Sequence, residues 1–393
     1  EPQDPRITRA ATSRLFERAR EGRAIDGIVD LLPRTTPSGG EHPLRAVLAD
    51  PQKFLRRLLD CSRASILLEA TCLLGDGLAH FRVVHGEARW TVEPRTNFDP
   101  HRLMAYTRIY PYAYHAMDAN SFNPEFEVAD TLRGLCLSTT AADVRLRCVV
   151  PDHRLLAIPG NLQMVGEAFA GDLYPNCQVP SLGWLLDAYE TRSQVRLPWQ
   201  ASVWVLREDP DAMFSPLTIG AEGLTELLAP LGVVMHRDAE LGSVRPSPIT
   251  WILGHGALGL DAKHFARVSS DRHDRHFADE LVARIEDASL VVLLMCSGGR
   301  ESHELFAERE HGMPAALLRR GVRTVIASPW PLDVLVGTRW SGAFAERLIA
   351  GDTVADAAFA ANASLAGRHP KDRLAMHVYG DPWLRIQAAE ATT

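Results

Sequence analysis

The 393-residue sequence has no apolar run long enough to cross a bilayer. Its longest, Ala288 to Cys296, falls far short of the ~20 residues that a spanning helix needs. No basic-then-apolar signal segment opens the chain, so the expected location is cytoplasmic. Positive charge is also in short supply. The 42 Lys and Arg against 49 Asp and Glu leave a net charge of -7, which gives no broad attraction to nucleic acid or to an anionic membrane, and neither is expected as a partner. Cysteine is scarce and scattered: the six, at 61, 72, 136, 148, 177 and 296, form no CxxC pair, which argues against a disulfide framework and a zinc knuckle. Pro and Gly are not clustered as in disordered chains, and the 46% hydrophobic and 23% charged shares are those of a folded protein. The length exceeds one ordinary core, which implies two domains or one enlarged α/β domain. The chain begins at Glu1 rather than Met, as a segment cut from a longer protein would.

What is present changes character at about residue 150. Upstream, the pattern gives a helix over Thr8 to Glu21, a breaker-rich loop from Pro33 to Pro43, and a second helix over Pro51 to Leu74. His80 to Val84 and Ala88 to Glu93 flank Gly86 as a hairpin would. Residues 95 to 145 are aromatic-rich without legible order. Downstream come short, near-continuous apolar runs at Arg154 to Ile158, Ser202 to Arg207, Val233 to His236, Thr250 to Leu253, Leu290 to Met295 and Thr324 to Ala327. Such runs suit strands covered on both faces. Helical stretches lie between and after them, at Ala221 to Leu231, Phe277 to Ala288, Pro314 to Arg320, Asp333 to Ile349, and another opened by Thr353. Strand, helix, strand implies parallel pairing.

Two chemically able residues end two of these strands. His255 follows the strand at Ile249 to Leu253, and Cys296 follows Leu290 to Met295, one βαβ unit apart. A right-handed crossover brings both to one carboxyl edge of the sheet, where crevices form. A thiol attacks a carbonyl as thiolate, and a neighbouring imidazole both activates it and protonates a departing amine. Glycines flank each residue, Gly254 and Gly256 around the histidine and Gly298 and Gly299 after the cysteine. The backbone N–H groups of Gly256 and Cys296 are the candidates for an oxyanion hole. Taken singly, a cysteine ending an apolar strand is usually a small buried hydrophobe and a lone histidine a structural one. The matched placement of the pair favours chemistry.

Two other patterns compete. Gly254, Gly256 and Gly259 spell the GxGxxG of a dinucleotide site, yet no helix opens at the glycines and no acid closes a second strand about 20 residues on. The run from Asp271 to His276 has imidazoles three apart, weak evidence for a metal and better read as a solvated loop, or as a self-cleavage site after Arg272 or Arg275.

The motifs in order resemble the CHAT peptidases, relatives of caspases and separases with histidine before cysteine. The resemblance lies in GHG at 254 to 256, LVVLLMCSGG at 290 to 299, GVRTVIASPWPLD at 321 to 333 and Tyr-Gly-Asp-Pro at 379 to 382, with RLLAIPGN at 154 to 161 and PSLGWL at 180 to 185 upstream. It covers about residues 150 to 388. It implies an α/β caspase-like three-layer sandwich with a mainly parallel sheet at 146–393, preceded by an accessory mixed α/β region at 1–145. It implies a dyad of His255 and Cys296 with Gly256 at the oxyanion, Ser328 and Trp330 along the substrate strand, and Asp333 as carboxylate for a basic residue before the scissile bond. No cofactor or metal is implied. The expected partners are a protein or peptide substrate and a regulatory sensor, in bacterial signalling or defence. Cys296 departs from the pattern in being followed by Ser-Gly-Gly, and Val334 replaces a second acid. The alternatives that stay open are a catalytically silent caspase-like interaction module and a nucleotide-binding α/β enzyme.

Overall fold

The computed structural model describes residues 50–74, 77–94, 144–151, 160–166, 168–193, 196–206, 216–237, 247–258, 264–267, 275–277, 282–283, 285, 288–300, 302–303 and 310–387. At its centre lies one eleven-stranded sheet. Its strands in chain order are β1 (Ile66–Leu74), β2 (Gly77–Val84), β3 (Glu87–Pro94), β4 (Leu146–Val150), β5 (Asn176–Gln178), β6 (Ala201–Val205), β7 (Val234–Arg237) and β8 (Ile249–Leu253). Three strands of a separate small sheet follow, β9 (His255–Leu258), β10 (His264–Arg267) and β11 (Arg275–Phe277). The large sheet is completed by β12 (Leu290–Leu294), β13 (Thr324–Ala327) and β14 (His377–Gly380), and runs in the order β7-β6-β8-β12-β13-β14-β5-β4-β1-β2-β3. Pairing is parallel from β7 to β13, antiparallel between β13 and β14, parallel again from β14 through β5 and β4 to β1, and antiparallel through the β1–β2–β3 meander.

Near-continuous apolar strands require cover on both faces, and the structure supplies it. Residues alternate between the two. On one face Ile249, Trp251, Leu253, Leu290, Val292 and Leu294 join a core built with helices α1 (Pro51–Ser62), α3 (Leu182–Thr191), α4 (Pro216–Leu228), α6 (Val334–Ile349) and α7 (Val354–Ala363). On the other, Ile252, Val291, Leu293 and Met295 pack on Val282, Ile285 and helix α5 (Met313–Arg319). Two one-turn helices, α2 (Ala170–Leu173) and α8 (Pro370–Arg373), complete the described set. This is the expected three-layer α/β sandwich, and the sheet runs without a break past residue 145 because β4 pairs with β1.

The capping signals act as chemistry demands. Asp333 caps α6 by accepting the N–H of Leu335 and of Val336, at 2.8 and 3.4 Å. Thr353 caps α7 through the Asp356 N–H at 3.1 Å. His85 and Gly86, at φ 51 and 78, form the left-handed turn between β2 and β3. Three expectations are corrected. The helix read over Pro51 to Leu74 ends at Ser62, and Ile66–Leu74 is a strand, because that stretch pairs on both sides and its residues from Ile66 to Glu69 are buried on both faces. The helix beginning at Phe277 does not begin there, since Phe277 pairs with Phe265 in the small sheet. Helix α4 starts at Pro216, ahead of Ala221, with proline in the first turn, where its missing N–H has no helical partner to lose. The helix at Thr8, the loop from Pro33, the strand at Arg154 and residues 95–143 lie outside the described residues.

Candidate active site

Parallel register brings the chain positions of the two sequence-nominated residues to one edge of the sheet. Leu253 of β8 stands opposite Leu294 of β12, and the Gly254 N–H still donates to the Leu294 carbonyl at 3.3 Å. His255 and Cys296 each lie two positions further on, at the same carboxyl edge of strands that neighbour one another at about 4.8 Å. His255 is exposed and opens β9, so the small sheet rises from the edge with the histidine at its base. Cys296 is partly accessible, whereas Cys61, Cys148 and Cys177 are buried.

The loop after β12 is tied down amide by amide. Ser297 N–H donates to Trp330 O at 3.0 Å, Gly298 N–H to Met295 O at 3.3 Å, Gly299 N–H to Ser328 O at 2.8 Å and Arg300 N–H to Ser297 O at 3.0 Å. Ser297 sits at φ 57, a left-handed conformation costly for a residue with a side chain. Gly299 has to be glycine, since a Cβ there would come within 2.9 Å of both the Ala327 carbonyl and the Tyr379 hydroxyl. That hydroxyl donates to the Gly299 carbonyl at 2.7 Å.

Burial raises the Cys296 thiol above its ordinary pKa, while backbone hydrogen bonding at Leu332 and at Cys296 itself pulls it back in part. The resting group is therefore the thiol, and activation needs a base at the moment of attack.

Carbonyls 328, 330 and 332 all face this loop, the alternation of an extended segment. The Ser328 and Trp330 side chains are buried and used internally: Ser328 Oγ donates to Trp330 O at 2.9 Å, and Trp330 Nε1 to Lys371 O at 2.6 Å. They shape the segment. Asp333 is exposed at its end. Sequence reasoning missed Asp372, a half-buried residue of α8 whose carboxyl is pushed up by burial, with the charge of Asp333 acting in the same direction. Nothing in the run RHPKDR signals it, because the approach of α8 to Asp333 depends on the Trp330–Lys371 bond between distant parts of the chain.

Other nominated features fall differently. A strand and not a helix follows Gly254, so GxGxxG lacks the helix N-terminus that holds a pyrophosphate, and the nucleotide reading is withdrawn. Arg275 pairs with Arg267 inside the small sheet, and Arg272 lies outside the described residues. Among the described residues no helix is long and apolar enough to cross a membrane.

Residues 221–382 match the family model described as the CHAT domain. The match begins downstream of RLLAIPGN and PSLGWL. Among solved structures, a chain of the Saccharomyces cerevisiae separase–securin complex determined at 2.6 Å matches with a TM-score of 0.53 at 10% identity, covering 88% of this chain and 31% of that one. A second crystal structure of that complex, at 3.0 Å, gives 0.48 at 9% identity, with 84% and 31% covered. The chain thus spans less than a third of the chains it resembles. No curated protein sequence matches. Residues 221–382 of this chain thus resemble a CHAT domain, and the α/β fold that holds them is similar to that of separase.

Proposed function

We propose that the chain is a cysteine endopeptidase in which Cys296 attacks the substrate carbonyl and His255 moves the protons. The observation that supports this reading is the Leu253–Leu294 register, which puts residues 255 and 296 each two positions past a paired position at one edge of the sheet. His255 takes the Sγ proton as sulfur bonds to the carbonyl carbon. The Cys296 N–H, with that of Gly256, receives the developing oxyanion. His255 then protonates the departing amine as the C–N bond breaks. Water, giving a proton back to His255, cleaves the thioester and restores the thiol.

Asp333 follows Leu332, whose carbonyl lies 3.9 Å from the Cys296 sulfur, and Asp372 feels the charge of Asp333, which supports a basic residue before the scissile bond. Residues 146–393 form the peptidase domain on this reading, with 1–145 as the accessory region. Partners are a protein or peptide substrate and a regulatory protein; separase, which shares the fold, is seen in complex with securin. A bacterial signalling or defence role inside the cytoplasm follows from the CHAT resemblance.

A peptide-library digest with wild type and Cys296→Ala tests the reading. Cleavage after Arg or Lys that vanishes in the variant is expected. Absence of cleavage by either protein would leave the interaction-module reading standing.

A further inference from the structure

The wall of this site is held from a segment that lies outside the CHAT-matched residues. Arg373 of α8 meets Asp172 of α2 with two hydrogen bonds, Nε to Oδ1 at 2.9 Å and Nη2 to Oδ2. Asn161 Nδ2 donates to Met376 O at 3.0 Å and to Leu374 O at 3.4 Å. The space between is closed, since a Cβ on Gly171 would lie 2.9 Å from the Asn161 side chain and 3.0 Å from that of Leu374. Asn161 is itself anchored. The neighbouring Gly160 carbonyl accepts from Arg147 Nη1 at 3.2 Å, and Arg147 Nε is paired at 2.5 Å with buried Glu69 on β1.

On its other side the same turn grips the catalytic loop. Lys371, between Pro370 and Arg373, accepts the Trp330 indole N–H at 2.6 Å, and the Trp330 carbonyl accepts the N–H of Ser297, the residue after Cys296. Ser297 is at φ 57, a conformation that persists only where its surroundings over-determine it.

We propose that Asp172 and Asn161 are positioning residues for Cys296, holding the 370–376 turn so that Trp330 fixes the loop in its attacking geometry. The proposal rests on Cys296 being the nucleophile and goes beyond that reading, because it makes residues 160–173 part of the working site. Its weak link is the Asp172–Arg373 pair. The pair is partly exposed, with side-chain accessibilities of 33% and 19%, so it adds little to global stability while fixing a position. A misplacement of about 1 Å at a reacting group costs on the order of 10²-fold in rate.

The test uses the full chain as wild type, Asp172→Arg, and Asp172→Arg combined with Arg373→Asp. Two quantities are measured: kcat and KM on a cleaved peptide, and the pH midpoint of iodoacetamide alkylation at Cys296, located by peptide mass spectrometry. Asp172→Arg is expected to lower kcat about tenfold or more with KM within about twofold. It should also shift the alkylation midpoint down as the loop opens and the thiol becomes more hydrated. The charge-swapped pair should restore both. Wild-type values in Asp172→Arg, or no recovery in the swapped pair, overturn the proposal. If Asp172→Arg does not fold, Asp172→Asn, a neutral change at a partly exposed position, takes its place with the same two readouts and the same expected and overturning results. If wild type cleaves no peptide, the peptidase reading fails, and the alkylation midpoint alone decides the positioning role.

Discussion

The buried histidines set an acid limit to stability that can be worked out in advance. His377 packs against Trp330 of the candidate site, its ring edge-on to the indole with centroids 5.5 Å apart. The Leu374 carbonyl accepts a hydrogen bond from the ring, while Nε2 has no hydrogen-bond partner. Burial lowers its pKa to about 3, against an ordinary 6.5. His80 on β2 is lowered to about 4, by burial first and then by the Arg82 charge. Because the folded pKa lies below the unfolded one, the unfolded chain binds a proton first as the pH falls. The contribution is complete above the unfolded value and is lost as pH drops from about 6.5 toward each folded value. Between pH 8 and pH 5 each histidine therefore costs about 2 kcal/mol, and the two together about 4 kcal/mol. That is a large part of a typical stability of ~5–15 kcal/mol. Asp372 and Asp381, both raised chiefly by burial, act in the opposite direction where they take up protons. The assay is urea unfolding at both pH values for wild type and His377→Leu. The variant should lose about 2 kcal/mol less than wild type over the interval. Equal losses in the two proteins would refute the reasoning.

Other expectations follow from single contacts. Gly299→Ala drives a methyl group into the Ala327 carbonyl and the Tyr379 hydroxyl, so a peptide assay should show activity reduced by about tenfold or more, with Tm also lowered. Asp372→Asn should weaken cleavage after Arg and Lys relative to uncharged residues, whereas Asp333→Ala should add a loss of Tm because it removes the cap of α6; library profiles and melting curves separate the two. His255→Ala should lower kcat by about 10²-fold or more with the fold intact by circular dichroism, since the side chain is exposed.

The central parallel strands were legible in the sequence because their burial on both faces writes itself as unbroken apolar runs such as Leu290–Leu294. Caps at Asp333 and Thr353 were legible because capping is local. Ile66–Leu74 was not, since an apolar run with one acid suits a helix or a central strand until its partners are known, and Glu69 is paired with Arg82 and Arg147 from other strands. The short strands β5 and β14 escaped for the same reason, their pairing being set by residues far away in sequence. At the site, His255 and Cys296 could be nominated from strand ends. Asp372, Asn161 and Asp172 could not, because each earns a role only through a contact between residues far apart in the chain.

The most direct measurement of the central claim is intact-mass and peptide mapping after exposure to a peptidyl acyloxymethyl ketone with a terminal arginine, whose capture needs both a reactive thiol and a seated substrate backbone. One adduct, on Cys296, formed by wild type and slowed by about 10²-fold in His255→Ala, is the predicted result. Labelling at another cysteine, or a rate at Cys296 unchanged by loss of the histidine, would contradict it.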